Sequence, residues 1–291
     1  MIFSPEETAA CRRLVEMAWE EDLGPQKVDL TSQAIIPEDL QGQAVFVARA
    51  PGVVAGLPAV ELVLSTLHSP LLEFQPLVQD GDRVRAGDRL ATVAGLMQFI
   101  LMAERTALNF LQHLSGIATM TRRFVDAING LPCQILDTRK TTPGWRLLEK
   151  YAVRCGGGHN HRMGLYDGIL IKDNHLAALG GGKEAIRKAG SAVRRNWDQV
   201  FLEIEVEKLD QLEVAVLPIP RVILLDNMSL DQLREAVGLR NKNWRFSQLE
   251  ASGGITLENV RAVAETGVNR ISVGALTHSA PALDIALDYE W

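Results

Sequence analysis

The sequence predicts an α/β protein: an incomplete parallel βα barrel of about six strands, preceded by a separate, sandwich-like α/β domain. Three observations carry that expectation. Six apolar β-type runs, at 133–137, 168–172, 201–206, 222–226, 246–250 and 270–274, alternate with helical patterns, which marks a parallel sheet with helices on its faces. Each run ends in a polar or glycine cluster (TRK, KDN, EVE, DN, EASGG, VGA), and in a βα barrel those strand ends share one mouth. The runs occupy about 145 positions. At roughly 25–30 residues per βα unit that is room for five or six units, against the eight of a complete barrel. The expected division is an N-terminal domain over 1–114, the barrel over 115–276, and a tail, 277–291, that packs back on the first domain.

Composition narrows the class. With 291 residues, 47% hydrophobic and 23% charged, the chain can build a sizeable core and reads as a globular enzyme. The start, MIFSPEETAACRR, lacks a basic region followed by an apolar stretch, so no leader is expected. The most apolar window, Gly95–Ala103, is cut short by Glu104 and Arg105, well under the roughly 20 residues of a membrane helix. Three cysteines (11, 133, 155) without CxxC spacing fit a reducing cytoplasm, and the cytoplasm is the expected location.

In chain order, Glu6–Glu21 carries apolar residues at helical spacing and closes at Gly24-Pro25. Asp29–Ser32 is turn and cap chemistry, Ala44–Ala48 a strand, Pro51-Gly52 a turn, Pro58–Leu67 a helix and Leu71–Val78 a strand. DGDRVRAGDRLATVAG (80–95) has two Asp-centred turns around a short strand. It resembles carrier-domain hairpins, but no lysine sits on its turn, so the segment reads as structural. From Leu96 to Asn129 the pattern is helical, and Ser115-Gly116 is expected to break it into two helices. Arg105, beside Glu104, reads on pattern alone as an exposed pair.

The chain is organised around residues 137–175. Two β-type runs end in charged residues and are joined by a helix over Gly144–Val153, with Pro143 near its first turn, and by the loop CGGGHNHRMG. Seven Lys and Arg face four acids here, a cationic segment in a chain of net charge −6. A cationic pocket within an acidic protein suits a small polyanion and argues against a nucleic-acid surface. Cys155, His159 and His161 form a weak metal pattern; as anion donors beside Arg162 the histidines fit better.

Further on, Glu203, Glu205 and Glu207 alternate with Ile204 and Val206, so the glutamates share one face, and a barrel would bring at least one inside near the mouth. Asp226 ends the next strand. Two such carboxylates can hold Mg²⁺ with substrate phosphates, grip ribose hydroxyls or do acid–base work. Ser252-Gly253-Gly254 and Val273-Gly274-Ala275 follow the last two strands, where backbone N–H groups of a glycine loop commonly meet phosphate.

Taken together, LDTRKTTPGWR, AVRCGGGHNHRMGLYDGILIKDNH, EIEVE, ILLDN, EASGGIT and VGALTHSAPALD resemble the signature set of the quinolinate phosphoribosyltransferases, also called carboxylating nicotinate-nucleotide pyrophosphorylases. The resemblance runs from AERTALN and SGIAT almost to the C-terminus. It implies an open barrel, a homodimer, and transfer of phosphoribosyl from phosphoribosyl pyrophosphate (PRPP) to quinolinate with loss of CO₂, on the route to NAD. It also implies that Arg105, Thr138, Arg139, His161, Arg162 and Lys172 line the quinolinate pocket, with Lys140 between it and PRPP. Glu205 and Asp226 match the acidic pair of the ribose and Mg²⁺ region, and 252–254 with 273–275 the phosphate loops. Lys140, Glu205 and Asp226 are the implied catalytic groups, and Arg105 is implied to come from the neighbouring subunit. Ile204 stands where the family more often has valine. Rivals are a relative with another acceptor and a non-catalytic phosphate-ligand sensor.

Overall fold

The computed structural model describes residues 1–67, 69, 71–197 and 199–290. They form two compact units, one within residues 1–122, 140–157 and 275–290, the other within 123–139 and 158–274.

The first unit begins with helix α1 (Pro5–Leu23), whose Ser4 hydroxyl accepts the Glu7 N–H while the Glu7 carboxylate accepts the Ser4 N–H. This reciprocal cap satisfies donors that a helix start leaves open. Asp29 caps α2 (Leu30–Ile35) by accepting the N–H groups of Thr31 and Ser32. There follow β1 (Gln41–Ala48), β2 (Gly52–Val53), α3 (Leu57–Ser65), β3 (Glu73–Pro76), β4 (Arg83–Val84), β5 (Arg89–Leu96) and α4 (Met97–Ala127). Further along the chain lie β6 (Gln134–Leu136), α5 (Arg146–Cys155), β7 (Ile169–Ile171), α6 (Asp173–Ala178), α7 (Gly182–Asn196), β8 (Leu202–Val206), α8 (Leu212–Ala215) and β9 (Val222–Asp226). The chain ends with α9 (Leu230–Asn243), β10 (Gln248–Ser252), α10 (Val260–Ala264), β11 (Arg270–Ser272), α11 (Ala275–His278) and β12 (Ile285–Glu290).

An antiparallel sheet of order β12-β1-β5-β3 forms the layer of the first unit, so the last strand of the chain pairs with its first. The two Asp-centred turns hold: Asp82 accepts the Gln79 N–H and Asp88 the Arg85 N–H.

The expected break at Ser115-Gly116 does not occur; α4 runs unbroken. Ser115 is fully buried and exchanges two hydrogen bonds with the Ala55 backbone. A Cβ on Gly116 would meet the Pro281 carbonyl oxygen at 2.2 Å. These residues are small because another segment packs against the helix, and a helix interior tolerates one glycine at about 1 kcal/mol.

The second unit is a six-stranded parallel sheet of order β6-β11-β10-β9-β8-β7. Closing it would bring β6 beside β7, so the incomplete barrel is open between its first two strands. The loop at that seam attaches to both sides. His159 N–H donates to the Ile135 carbonyl and the Asp137 N–H to the His159 carbonyl, adding a bridge at the β6 edge. On the other side, an Arg162 guanidinium N–H donates to the Gly168 carbonyl just ahead of β7 at 3.0 Å.

The fifth strand of this sheet lies two residues later than the sequence suggests. Its register pairs Ala251 and Ser252 with Leu225 and Asp226, while Ser247 is turned aside to donate to the Pro220 carbonyl at 2.7 Å. Among the described residues no helix is long and apolar enough to cross a membrane.

Candidate active site

Parallel strands place alternate side chains inside a barrel, and here the inward set is polar. On β8, Glu203 is fully buried and Glu205 nearly so, whereas Glu207, one step past the strand, is exposed. The interior therefore holds two polar layers at different depths.

The inner layer comprises His161, Glu203, Glu250 and Arg270. The His161 Nε2 atom lies 2.9 Å from Glu203 Oε2 and 3.5 Å from Glu250 Oε1, and Arg270 Nε lies 2.8 Å from Glu250 Oε2. Both glutamates have no exposed surface. Burial, and next the charge of Glu203, push the Glu250 carboxyl up from its ordinary value. His161, Glu203 and Glu250 are spaced to share a cation, and the Arg270 guanidinium pairs with Glu250.

The outer layer lies at the strand ends. Lys172 Nζ is 3.4 Å from Glu205 Oε2, and the Asp173 N–H points at Glu205 Oε1 at 3.5 Å. Burial raises the Glu205 carboxyl above its usual range, Lys172 opposes that, and Asp226 is near enough to add to it. Beside Asp226 in register stands Ser252, whose carbonyl accepts the Asn227 N–H. Gly253, at φ 91°, lies so close to Asn227 that a Cβ would meet its Oδ1 atom at 2.1 Å, whereas Gly254, at φ 61°, faces open space. Glu205 and Asp226 offer only hard oxygen donors, a set that fits Mg²⁺.

The cationic residues divide between the units. In the second, Arg162 is half-buried, and its guanidinium is made less basic by burial and then by the charge of Arg139. Thr138 and Arg139 follow β6, as Gly274 follows β11. Lys140, Arg105 and Ala275 belong to the first unit. The segment of Lys140 is pinned there: the Thr277 hydroxyl donates to the Lys140 carbonyl at 2.7 Å. Arg146 Nε donates to the Thr141 hydroxyl, and the Thr142 N–H donates to the fully buried Glu149, which also faces His113 at 3.0 Å. Arg105 is exposed on α4, in a cleft of about 360 Å³ that Glu21, Asp22, Asn109 and Trp145 also line.

Sequence reasoning missed Glu203, Glu250 and Arg270 as parts of the site, and Glu149 beneath the Lys140 segment. The alternation on β8 signalled Glu203; Glu250 and Arg270 each stand alone in an apolar run, with no local signal.

Family models for the quinolinate phosphoribosyl transferase N-terminal and C-terminal domains match residues 29–115 and 117–288. The chain belongs to the quinolinate phosphoribosyltransferase family. It is 45% identical over 281 residues to the nicotinate-nucleotide pyrophosphorylase [carboxylating] of Mycobacterium leprae, covering 96% of this chain and 97% of that one. A probable enzyme of the same name from Bacillus subtilis is 44% identical over 277 residues, covering 95% of this chain and 92% of that one. The solved nicotinate-nucleotide pyrophosphorylase of Francisella tularensis superposes with a TM-score of 0.89 at 37% identity, covering 97% of each chain. The fold of this chain is thus one that it shares with a solved nicotinate-nucleotide pyrophosphorylase.

Proposed function

We propose that the protein transfers phosphoribosyl from PRPP to quinolinate with decarboxylation, giving nicotinate mononucleotide, pyrophosphate and CO₂. Beside the family match, the observation that carries this reading is the closeness of Arg139 and Arg162. Burial and then Arg139 lower the basicity of the half-buried Arg162 while Glu203 and Asp167 act the other way, so the two guanidiniums are near enough to grip one small anion together. Quinolinate has two adjacent carboxylates, and planar guanidinium forks match such groups.

In this reading Thr138, Arg139, His161, Arg162 and Lys172 line the quinolinate pocket, with Arg105 arriving from a neighbouring subunit of a homodimer. Lys172 pairs with Glu205, so the acceptor site and the acidic pair share a contact. As the ribose carbon gains oxocarbenium character, the Glu205 and Asp226 carboxylates stabilise it. The same two carboxylates would hold Mg²⁺, which would supply positive charge against the leaving pyrophosphate. Lys140 carries a positive charge to the pyrophosphate side, and the backbone N–H groups of 252–254 and 273–275 receive the phosphate. Loss of CO₂ from the nucleotide leaves an electron pair on the ring carbon beside the cationic nitrogen, whose charge stabilises it until a proton from water takes the place of the carboxylate.

The test is CO₂ release from carboxyl-labelled quinolinate with PRPP and Mg²⁺, together with the nicotinate mononucleotide formed. Turnover that chelation abolishes is expected. Nicotinate should be a poor acceptor, because a missing carboxylate leaves the half-buried guanidiniums of Arg139 and Arg162 without the second carboxylate. Turnover of another acceptor in place of quinolinate, or binding without turnover, overturns the reading. The shared site has its own test. Arg105→Ala and Lys140→Ala chains should be nearly inactive alone and regain activity when mixed; confirmed subunit exchange without recovery contradicts it.

A further inference from the structure

We propose that Glu203, Glu250 and Arg270 are positioning residues of the quinolinate pocket, acting through a neutral His161. This rests on the quinolinate reading above and assigns a role to the inner layer that the reading leaves without one.

One ring nitrogen of His161 accepts a hydrogen bond within the protein, and the other lies against a buried carboxylate. The Arg162 backbone N–H donates to Nδ1 at 2.8 Å, so Nδ1 presents its lone pair. Nε2 faces Glu203 at 2.9 Å, with Glu250 at 3.5 Å behind, and therefore carries the hydrogen. Burial opposes an imidazolium here, while the Glu203 hydrogen bond and the charges of Glu203 and Glu250 favour one, and their balance raises the ring's basicity. A second ring proton would have to sit on Nδ1, pointing at the Arg162 N–H. That donor–donor contact decides for the neutral Nε2–H form, and the carboxylates make Nδ1 a stronger acceptor, as carboxylates do behind metal-bound imidazoles.

What the ring accomplishes is to fix the peptide that bears Arg162. The His161 N–H goes to Asp137 Oδ1 at 2.8 Å, and Asp137 also accepts the Asn160 side-chain amide. The next N–H goes to the ring. Two successive donors at the open seam are thus held by groups inside the barrel, and the Arg162 guanidinium is steadied by Gly168. Arg270 neutralises one of the two buried carboxylates, which leaves Glu203 to the imidazole. The chain runs Arg270, Glu250, Glu203, His161, Arg162, from the core to the pocket.

Two measurements on the full-length protein test it. In protein with ¹⁵N-labelled histidine, His161 should show one protonated and one bare ring nitrogen at neutral pH, unchanged when quinolinate saturates the site. An imidazolium, the Nδ1–H tautomer, or a change of protonation on binding overturns the proposal. In steady-state assays Glu203→Ala should raise the quinolinate KM roughly tenfold, the size of one lost hydrogen bond. The KM for PRPP and the kcat at saturation should stay within about threefold. Glu203→Gln, whose amide oxygen can still accept from Nε2–H, should restore the quinolinate KM. A folded Glu203→Ala with wild-type KM, or one losing kcat as much as kcat/KM, overturns it, and so does a Glu203→Gln no better than Ala. Should Glu203→Ala not fold, the spectroscopic result and the Glu203→Gln KM decide. Wild-type turnover of quinolinate is the separate control on the functional reading.

Discussion

Glu203 and Glu205 stand two residues apart on the same strand and the same face, yet their surroundings differ in kind. Glu203 has no exposed surface and meets a buried histidine, with Glu250 and Arg270 behind it. Glu205 meets Lys172, whose side chain is 45% exposed, and faces Asp226 across the strand ends. One step of about 6.6–6.8 Å along a strand separates the two positions. A buried carboxylate needs a fixed partner, and its loss is felt as stability. A carboxylate at the mouth has a partner that can exchange for substrate, and its loss is felt as rate. Depth in the barrel, not residue type, distinguishes them.

The sharpest way to break that contrast is Arg270→Ala. It removes the guanidinium from Glu250 and leaves buried carboxylates without that cation. Removing one partner of a buried pair typically costs about 3–5 kcal/mol. Denaturant unfolding should show a loss of that size, while Arg270→Met with Glu250→Leu together should lose much less. A single Arg270→Ala of near wild-type stability would mean the inner layer is not an ion-pair network.

At the mouth the expected effect is on rate. Glu205→Gln and Asp226→Asn should lower kcat by roughly 10²–10³, the loss seen when one electrostatic stabiliser of a transition state is removed, about 2.7–4 kcal/mol. Quinolinate affinity measured by calorimetry should change far less. Collapse of that affinity with turnover at saturation preserved would exchange the roles proposed for the two layers.

Arg162 joins the layers, and Arg162→Lys should leave stability nearly unchanged while raising the quinolinate KM. An ammonium cannot present the paired fork, and one charge-assisted bond is worth about 1.5–3 kcal/mol, or roughly 10- to 150-fold. Wild-type quinolinate kinetics would remove Arg162 from the pocket.

The contrast also marks how far the sequence could be read. Six β-type runs, their polar ends and the shortfall from eight units identified the open barrel, because periodicity and spacing are local properties. Alternation on β8 brought Glu203 and Glu205 to one face, but a face is not a depth. Which glutamate reaches the mouth depends on strand register, which is set by neighbours. Glu250 and Arg270 were invisible as a pair because they come from different strands, and His161 from a loop. The Ser115-Gly116 break failed for the same reason: small residues there answer to Ala55 and Pro281, which only the folded chain brings near. Gly253 is a further case, since the crowding by Asn227 accounts for it without any ligand.

The smallest expected effect separates the two glutamates by pH. Burial holds the Glu205 carboxyl above its ordinary range even with Lys172 beside it, so folding favours its protonated form. Below the unfolded pKa the carboxyl is protonated in both states and costs nothing. As pH rises through the unfolded value toward the folded one, ionisation begins to oppose folding, and above the folded value the penalty is complete. Glu205→Gln removes that penalty, so the variant should match the wild type in acid and become the more stable protein as pH rises to neutrality. The measurement is Tm against pH with chelator present and PRPP absent, so that no bound ion stabilises the carboxylate. A stabilised but slow variant is what a strained functional group gives on removal. Glu203→Gln, which loses a charged partner for the buried ring, should show no such gain at any pH. If both variants gain stability alike, or if Glu205→Gln is the less stable protein at neutral pH, the two positions do not differ in the way their depths imply.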